Sequence, residues 1–237
     1  MEHNFSLQVP HNALRYILFQ RTDYQLISKN SFLMKAAKIL PFFSYERMVT
    51  IESKLFERRI KRLYAADMNK EYLIIRSYLP EHVSSVLDIG CGIGGIDALL
   101  AAHYDFRDIY FYLHDKTKMD LKIHYGYEKT SSFYNSLLVA KDLLVMNGVS
   151  EDFIILSEAN GDGILTQNKI DIIISLISWG FHYPIHVYLN RVRELLSQRG
   201  VLIVDVRKGT EGEKEIGKIF METLVIFETE SFLRIMT

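Results

Sequence analysis

Cysteine is nearly absent from this chain: Cys91 is the only one in 237 residues. A single thiol closes no intramolecular disulfide and builds no multi-cysteine zinc site, so a reducing, cytoplasmic setting without a structural metal is expected. Surplus charge is missing as well. Lys and Arg number 28 against 29 Asp and Glu, a formal charge of -1, so no whole-chain field draws the protein to nucleic acid or to an anionic membrane. Long apolar runs are also lacking. The most apolar stretch, Ile172 to Phe181, is far shorter than the ~20 residues that a bilayer crossing takes. Met1-Glu2-His3-Asn4 has neither the basic start nor the apolar run of a signal peptide, and a soluble protein is expected. There is no internal repeat or low-complexity tract.

What is present begins with an uneven distribution of charge. Residues 1–80 carry 13 basic and 7 acidic side chains, whereas residues 81–237 carry 15 and 22. The basic part reads as helical. One segment near Phe32 to Leu40 stops at Pro41, and a second starts at Ser44, a suitable N-cap, although Arg47 takes the place of the Glu or Gln of a full capping box. Within this second segment Met48, Ile51, Leu55, Ile60, Leu63 and Tyr64 recur at helical spacing, with Lys54, Arg58, Lys61 and Arg62 on another face. A third helix is expected near Asn69 to Tyr78, ending before Pro80. No Gly- or Ser-rich linker follows, so residues 1–80 are read as a helical region packed on a second unit, residues 81–237.

Beyond Pro80, short β-rich runs alternate with helical ones. The strands expected are Val83 to Ile89, Ile109 to Leu113, Phe153 to Leu156, Ile170 to Leu176 and Val201 to Val206. Gly95 to His103, Phe133 to Met146 and Ile185 to Leu196 have helical apolar spacing and the length of a crossover. Together they specify an α/β fold, a doubly wound Rossmann-like parallel sheet. The end differs: a helix near Glu213 to Phe220 precedes Thr223 to Phe227 and Phe232 to Met236, two strands spaced as an antiparallel hairpin.

The first strand runs into Asp88-Ile89-Gly90-Cys91-Gly92-Ile93-Gly94-Gly95. Three alternate glycines at a strand-to-helix junction allow a sharp turn and expose backbone amides and a helix N-terminus to a polar or anionic ligand. No Gly-Lys-Ser/Thr follows, which excludes a phosphate-cradling NTPase loop. Gly90, Gly92 and Gly95 also satisfy the dinucleotide fingerprint. In either nucleotide reading Asp115, about 20 residues further on at the end of a second strand, suits a ribose diol. Cys91, between two of the glycines, reads as a small buried filler.

Asp88 two residues before Gly90, the helical region ahead of the first strand and the terminal hairpin separate the readings. With these features the chain resembles the class I S-adenosylmethionine-dependent methyltransferases over residues 80 to 237. The resemblance implies a seven-stranded sheet ending in an antiparallel hairpin, with S-adenosylmethionine as cofactor. Asp88, Gly90, Gly92 and Gly94 would then hold the methionine part, Asp115 the ribose hydroxyls and Glu158 the adenine amine. Asn160 and Asp162 are alternatives to Glu158 if the third strand ends later.

In a doubly wound sheet, ligands collect beyond the carboxyl ends of the strands. The loop after the fourth strand, Ser178-Trp179-Gly180-Phe181-His182-Tyr183-Pro184, would therefore face the transferred methyl group. It lacks the Asn/Asp-Pro-Pro-aromatic pattern of enzymes that methylate nucleic-acid amines, and it resembles loops of sugar methyltransferases from polysaccharide gene clusters. A hydroxyl acceptor needs a base, and His182 has the right intrinsic range, with Tyr183 as the spare candidate. A half-buried His bonded to backbone and an aromatic wedge before Pro184 account for the same residues. The long connection Lys116 to Ser131, with His124, Tyr125, Gly126 and Tyr127, reads either as a cover over the site or as a short extra helix. The function expected is O-methylation of a small molecule or sugar, with nucleic acid not favoured as a partner. A nicotinamide-dependent oxidoreductase, a nucleic-acid or protein methyltransferase and a non-catalytic methyltransferase-like subunit are the alternatives.

Overall fold

A computed structural model describes residues 5–27, 44–106, 108–119, 134–159, 163–164 and 166–237. The expected helix Phe32 to Leu40, nearly all of the connection after Lys116 and the alternatives Asn160 and Asp162 lie outside the described residues.

Seven of the strands form one sheet. In chain order they are β1 (Ser85–Ile89), β2 (Tyr110–Asp115), β5 (Ile154–Glu158), β6 (Ile170–Ser175), β8 (Leu196–Arg207), β9 (Leu224–Glu228) and β10 (Phe232–Met236). Across the sheet the order is β5-β2-β1-β6-β8-β10-β9. Every neighbouring pair is parallel except the two made by β10, which runs antiparallel to both β8 and β9. A separate two-stranded ribbon joins β3 (Lys118–Met119) to β4 (Tyr134–Asn135). A further strand, β7 (Ser178–Tyr183), occupies the stretch expected to be a loop after the fourth strand.

The central strands are mostly apolar because both of their faces are covered, as parallel sheets require. Val86, Phe111, Leu113, Ile154, Ile172 and Ile174 point into one buried cluster. Here they meet α1 (Leu14–Gln20), α3 (Glu57–Ile75), α4 (Gly95–His103) and α5 (Leu137–Met146). Leu87, Ile89, Tyr112, Ile173, Leu202 and Val204 point the other way, onto α6 (His186–Leu195) and α7 (Gly212–Ile219). Burying each of these aliphatic side chains is worth about 1.5–3 kcal/mol relative to exposure.

The helical region departs from its sequence pattern. Ser44 caps α2 (Tyr45–Leu55), its hydroxyl accepting from the Arg47 amide at 3.3 Å. The helix then breaks at Phe56, and α3 continues without interruption to Ile75, so the boundary expected between Tyr64 and Asn69 does not exist. Lys54 consequently lies on a different helix from Arg58, Lys61 and Arg62, and Lys61 pairs with Glu57 at 2.8 Å. Residues 5–27 carry no expected element, yet Leu14, Ile17 and Leu18 of the short α1 are fully buried against the sheet-side core. Among the described residues no helix is long and apolar enough to cross a membrane.

Candidate functional site

The strand order reverses between β1 and β6, and the glycine loop lies at the carboxyl end of this switch, where open α/β sheets take their ligands. Gly90, Gly92 and Gly94 have φ of +80°, +56° and +76°, a left-handed backbone that side chains disfavour. At Gly90 space adds to the requirement: a Cβ there would collide with the Ser178 side chain. The Gly90 amide donates to the His114 carbonyl at 2.7 Å, extending the β1–β2 ladder, before the chain turns into α4.

Asp115, at the end of β2, is bonded directly to the loop. Its Oδ2 accepts from the Gly92 amide at 2.8 Å and from Asn135 Nδ2 at 2.9 Å, while Oδ1 accepts from the Lys116 amide at 2.6 Å. A carboxylate offers about four lone-pair positions, and the described residues fill three of them, two on Oδ2 and one on Oδ1. Burial raises the Asp115 pKa to about 6 against the opposing pull of these donors. Glu158 stands beside it in register on β5, with Oε1 accepting from the Thr117 amide at 2.6 Å.

Asp88 lies beneath the loop, buried on β1, and faces Asp97 in the first turn of α4. Burial pushes both carboxyls up, Asp97 to about 7, and the neighbouring Asp97 charge raises Asp88 further. The pair therefore holds a proton near neutrality. Asp88, holding that proton, hydrogen-bonds to Asp97, whereas the buried Asn135 Oδ1 has no donor among the described residues. Cys91 is buried and burial drives its thiol pKa up, which keeps it protonated and unreactive.

The N-terminal helices close over this arrangement. Gln20, the last residue of α1, sets its side-chain amide against Gly92, and the Tyr64 ring of α3 covers Gly95. Arg21 lies over the Tyr64 ring and pairs with Asp67 at 3.5 Å, and the Tyr24 hydroxyl binds the same carboxylate.

On the far side of the loop, the turn from β6 to β7 is pinned by Ser175. Its hydroxyl donates to the Ile89 carbonyl at 2.6 Å and accepts from the Trp179 amide at 3.0 Å. Trp179 is fully buried, its Nε1 donating to the Ile185 carbonyl at 2.9 Å. His182 and Tyr183 follow on β7. The described ring neighbour of His182 is Phe181, and desolvation together with the Arg207 guanidinium holds its pKa below the ordinary imidazole value. The Tyr183 hydroxyl is buried.

The geometry thus brings Gly90, Gly92, Gly94, Asp88, Asp115 and Glu158 together at the carboxyl ends of β1, β2 and β5, while His182 and Tyr183 lie further along β7. Sequence reasoning passed over Gln20, Tyr64, Asp97 and Asn135, whose positions depend on contacts between distant segments. It also passed over His114. This buried imidazole is 2.9 Å from Ser157 Oγ and 3.4 Å from the Tyr188 hydroxyl, and burial lowers its pKa to about 4, which keeps it neutral.

No protein-family model matches the chain, and no curated protein matches it. Solved structures do. A proposed O-methyltransferase from Nostoc punctiforme aligns with a TM-score of 0.54 and 13% identity, over 76% of this chain and 58% of that one. TYW2 of M. jannaschii, solved with AdoMet, gives 0.47 and 16%, covering 73% and 74%. A SAM-dependent methyltransferase from Geobacter sulfurreducens, solved with S-adenosyl-L-homocysteine, gives 0.40 and 15%, covering 58% and 46%. The chain spans 46% of the Geobacter protein's length and 58% of the Nostoc protein's, about half in each case. The strand order, the reversed β10 and the Nostoc alignment agree on architecture: the chain has the Rossmann-like fold of the class I S-adenosylmethionine-dependent methyltransferases.

Proposed function

We propose that this protein is an S-adenosylmethionine-dependent methyltransferase acting on oxygen of a small molecule or sugar. In this reading residues 81–237 bind the cofactor and residues 1–80 cover the site. The single observation that carries it is the Gly92–Asp115 hydrogen bond, which fixes a left-handed glycine loop against an acid at the topological switch point. The residues fit the group on a second count. Asn135 Oδ1, buried on the side chain that bonds Asp115, lacks a donor among the described residues, and a ribose hydroxyl is a donor.

Bound here, the cofactor supplies a methyl group on a sulfonium, a good leaving group that departs as a neutral thioether. The protein's part is alignment and proton removal. The glycine loop would hold the methionine part, where the Asp88–Asp97 pair offers negative charge, Asp115 would take the ribose hydroxyls, and Glu158, beside Asp115, would meet the adenine edge. Alignment of a nucleophile for in-line attack accounts for much of such a rate. A hydroxyl acceptor must also lose its proton, and His182, neutral at pH 7 because its pKa is depressed, is the base we assign, with Tyr183 next to it.

Isothermal titration with S-adenosylhomocysteine, NAD and NADP tests the cofactor. Binding of the first alone supports the reading, and binding of a nicotinamide nucleotide in its place overturns it. Incubation of methyl-labelled cofactor with cell extract, separated into nucleic-acid, protein, glycoconjugate and small-molecule fractions, then tests the acceptor. Label confined to nucleic acid or protein would refute the O-methylation of a small molecule or sugar.

A further inference from the structure

The turn between β6 and β7 contains a backbone outlier with an identifiable restraint. Ile177 has φ of +52°, a left-handed conformation that is costly for a β-branched residue. Such strain persists only where surrounding structure imposes it, and it concentrates at sites that use the imposed geometry. Here the restraint is Asp205 on β8, whose Oδ2 accepts the Ile177 amide at 3.1 Å. Asp205 is itself fixed, because Arg234 on β10 grips both of its oxygens, with Nε 2.7 Å from Oδ1 and Nη2 2.9 Å from Oδ2. The remaining guanidinium nitrogen of Arg234 meets Glu71 of α3 at 2.6 Å. Arg234 and Asp205 are both fully buried.

This relay ends at the glycine loop. The residue after Ile177 is Ser178, whose side chain fills the space where Gly90 would carry a Cβ. Its hydroxyl makes no hydrogen bond to any described residue, so it is available to a ligand at the switch point. A relaxed Ile177 would turn the following Cα–Cβ bond away from Gly90. A purely structural turn in this position would gain nothing from a β-branched residue at positive φ, since glycine would adopt the same backbone without strain.

We propose that Asp205, clamped by Arg234, is a positioning residue: it holds Ile177 in its strained conformation and so presents the Ser178 hydroxyl at the wall of the cofactor site. The proposal rests on the cofactor reading above. It gives the terminal hairpin a role in ligand binding, since β10 supplies the arginine that orders a turn two strands away.

Two variants and one built-in reporter test it. Trp179, the only tryptophan, sits two residues beyond Ile177, so its fluorescence reports on the turn. Ile177→Gly relieves the strain without touching the buried ion cluster. Its melting point is expected to rise by a few degrees while its affinity for S-adenosylhomocysteine falls about tenfold, two changes that a merely structural role would not produce together. Ser178→Ala, at a half-buried site, is expected to keep the wild-type melting point and Trp179 emission maximum and to lose affinity to a similar extent. Wild-type affinity in both variants overturns the positioning proposal and leaves the cofactor reading intact. No binding of S-adenosylhomocysteine by the wild-type chain overturns both.

Discussion

The Gly92 amide and the Asp115 carboxylate, 23 residues apart in sequence, are joined by a 2.8 Å hydrogen bond that locks the loop after β1 to the end of β2. One acid therefore shapes the loop and offers a ligand contact, and its removal should affect both.

Asp115→Ala is expected to weaken S-adenosylhomocysteine binding by about 1.5–3 kcal/mol, the range for a hydrogen bond to a charged group. Asp115→Asn keeps one accepting oxygen but sets its NH2 against an N–H donor whichever way it is turned, and its affinity should fall between those of wild type and Asp115→Ala. Titration calorimetry of the two variants against wild type checks the order, and equal affinity in all three would place the ribose elsewhere.

Stability should depend on pH through three buried acids. Asp88, Asp97 and Asp115 all have folded pKa values above the ordinary carboxyl range, with Asp97 at about 7 and Asp115 at about 6. Through these acids the folded chain takes up extra protons between about pH 4 and 7, so their contribution to stability falls as pH rises through that window, while His114 and His182, whose pKa values are depressed, contribute with the opposite sign below about pH 6.5. Asp171 and Glu57, whose pKa values are depressed, act at lower pH and with the opposite sign. Asp97→Asn should flatten the decline and raise the melting point at pH 8, as thermal scans from pH 4.5 to 8 would record. A decline of unchanged slope in this variant would contradict the assignment.

Two glycines of the loop should differ in what they tolerate. Gly90→Ala meets both a positive φ and the Ser178 side chain, so a folding cost of about 1–3 kcal/mol is expected in urea denaturation. Gly92→Ala meets the Gln20 side chain at 3.2 Å, a neighbour that can move, and should cost about 1 kcal/mol or less in stability. Its larger effect should be on ligand affinity, because the added methyl group stands between the loop and its cover.

His182→Gln is expected to lower methyl transfer about 100- to 10,000-fold while leaving S-adenosylhomocysteine affinity unchanged. The wild-type rate should fall as pH drops through a pKa below the usual imidazole value, since the protonated ring cannot accept a proton. Retained turnover in the variant would make His182 structural.

Much of the sheet was legible because β1, β2 and β6 are buried on both faces, which forces unbroken apolar runs such as Val86-Leu87 and Ile172-Ile173-Ile174, and because each run is followed by a helical period. The terminal hairpin was legible from two short apolar runs joined by a few polar residues, although β9 lies largely exposed at the sheet edge. The strand β7 was not: Trp179, Phe181 and Tyr183 do alternate with Ser178, Gly180 and His182, but the stretch directly follows the fourth strand, where a doubly wound sheet has a loop, and it lies against β8 with Gly180 close to the Asp205 carbonyl. The break at Phe56 was hidden because apolar spacing carries on across it. The loop and Asp115 announced themselves through glycine spacing and distance in sequence. Asp97 looked like an ordinary acid in a first helical turn, and nothing local revealed that Asp88 faces it. Gln20 and Tyr64 reach the loop only through the docking of helices that precede the sheet in sequence.

One clamp in that docking bears on the order in which the chain acquires its structure. Asn147, at the end of α5, accepts from the Gln8 amide at 2.8 Å and returns a hydrogen bond to the Gln8 carbonyl at 2.7 Å, across 139 positions. The segment leading into α1 is thus made well before α5, the partner that this clamp requires. Contacts so remote in sequence slow folding, because the loop they close must lose its freedom before any contact repays it. The early segment should therefore settle late, after the sheet that it covers, and its amides should be among the last to gain protection in pulse-labelled refolding.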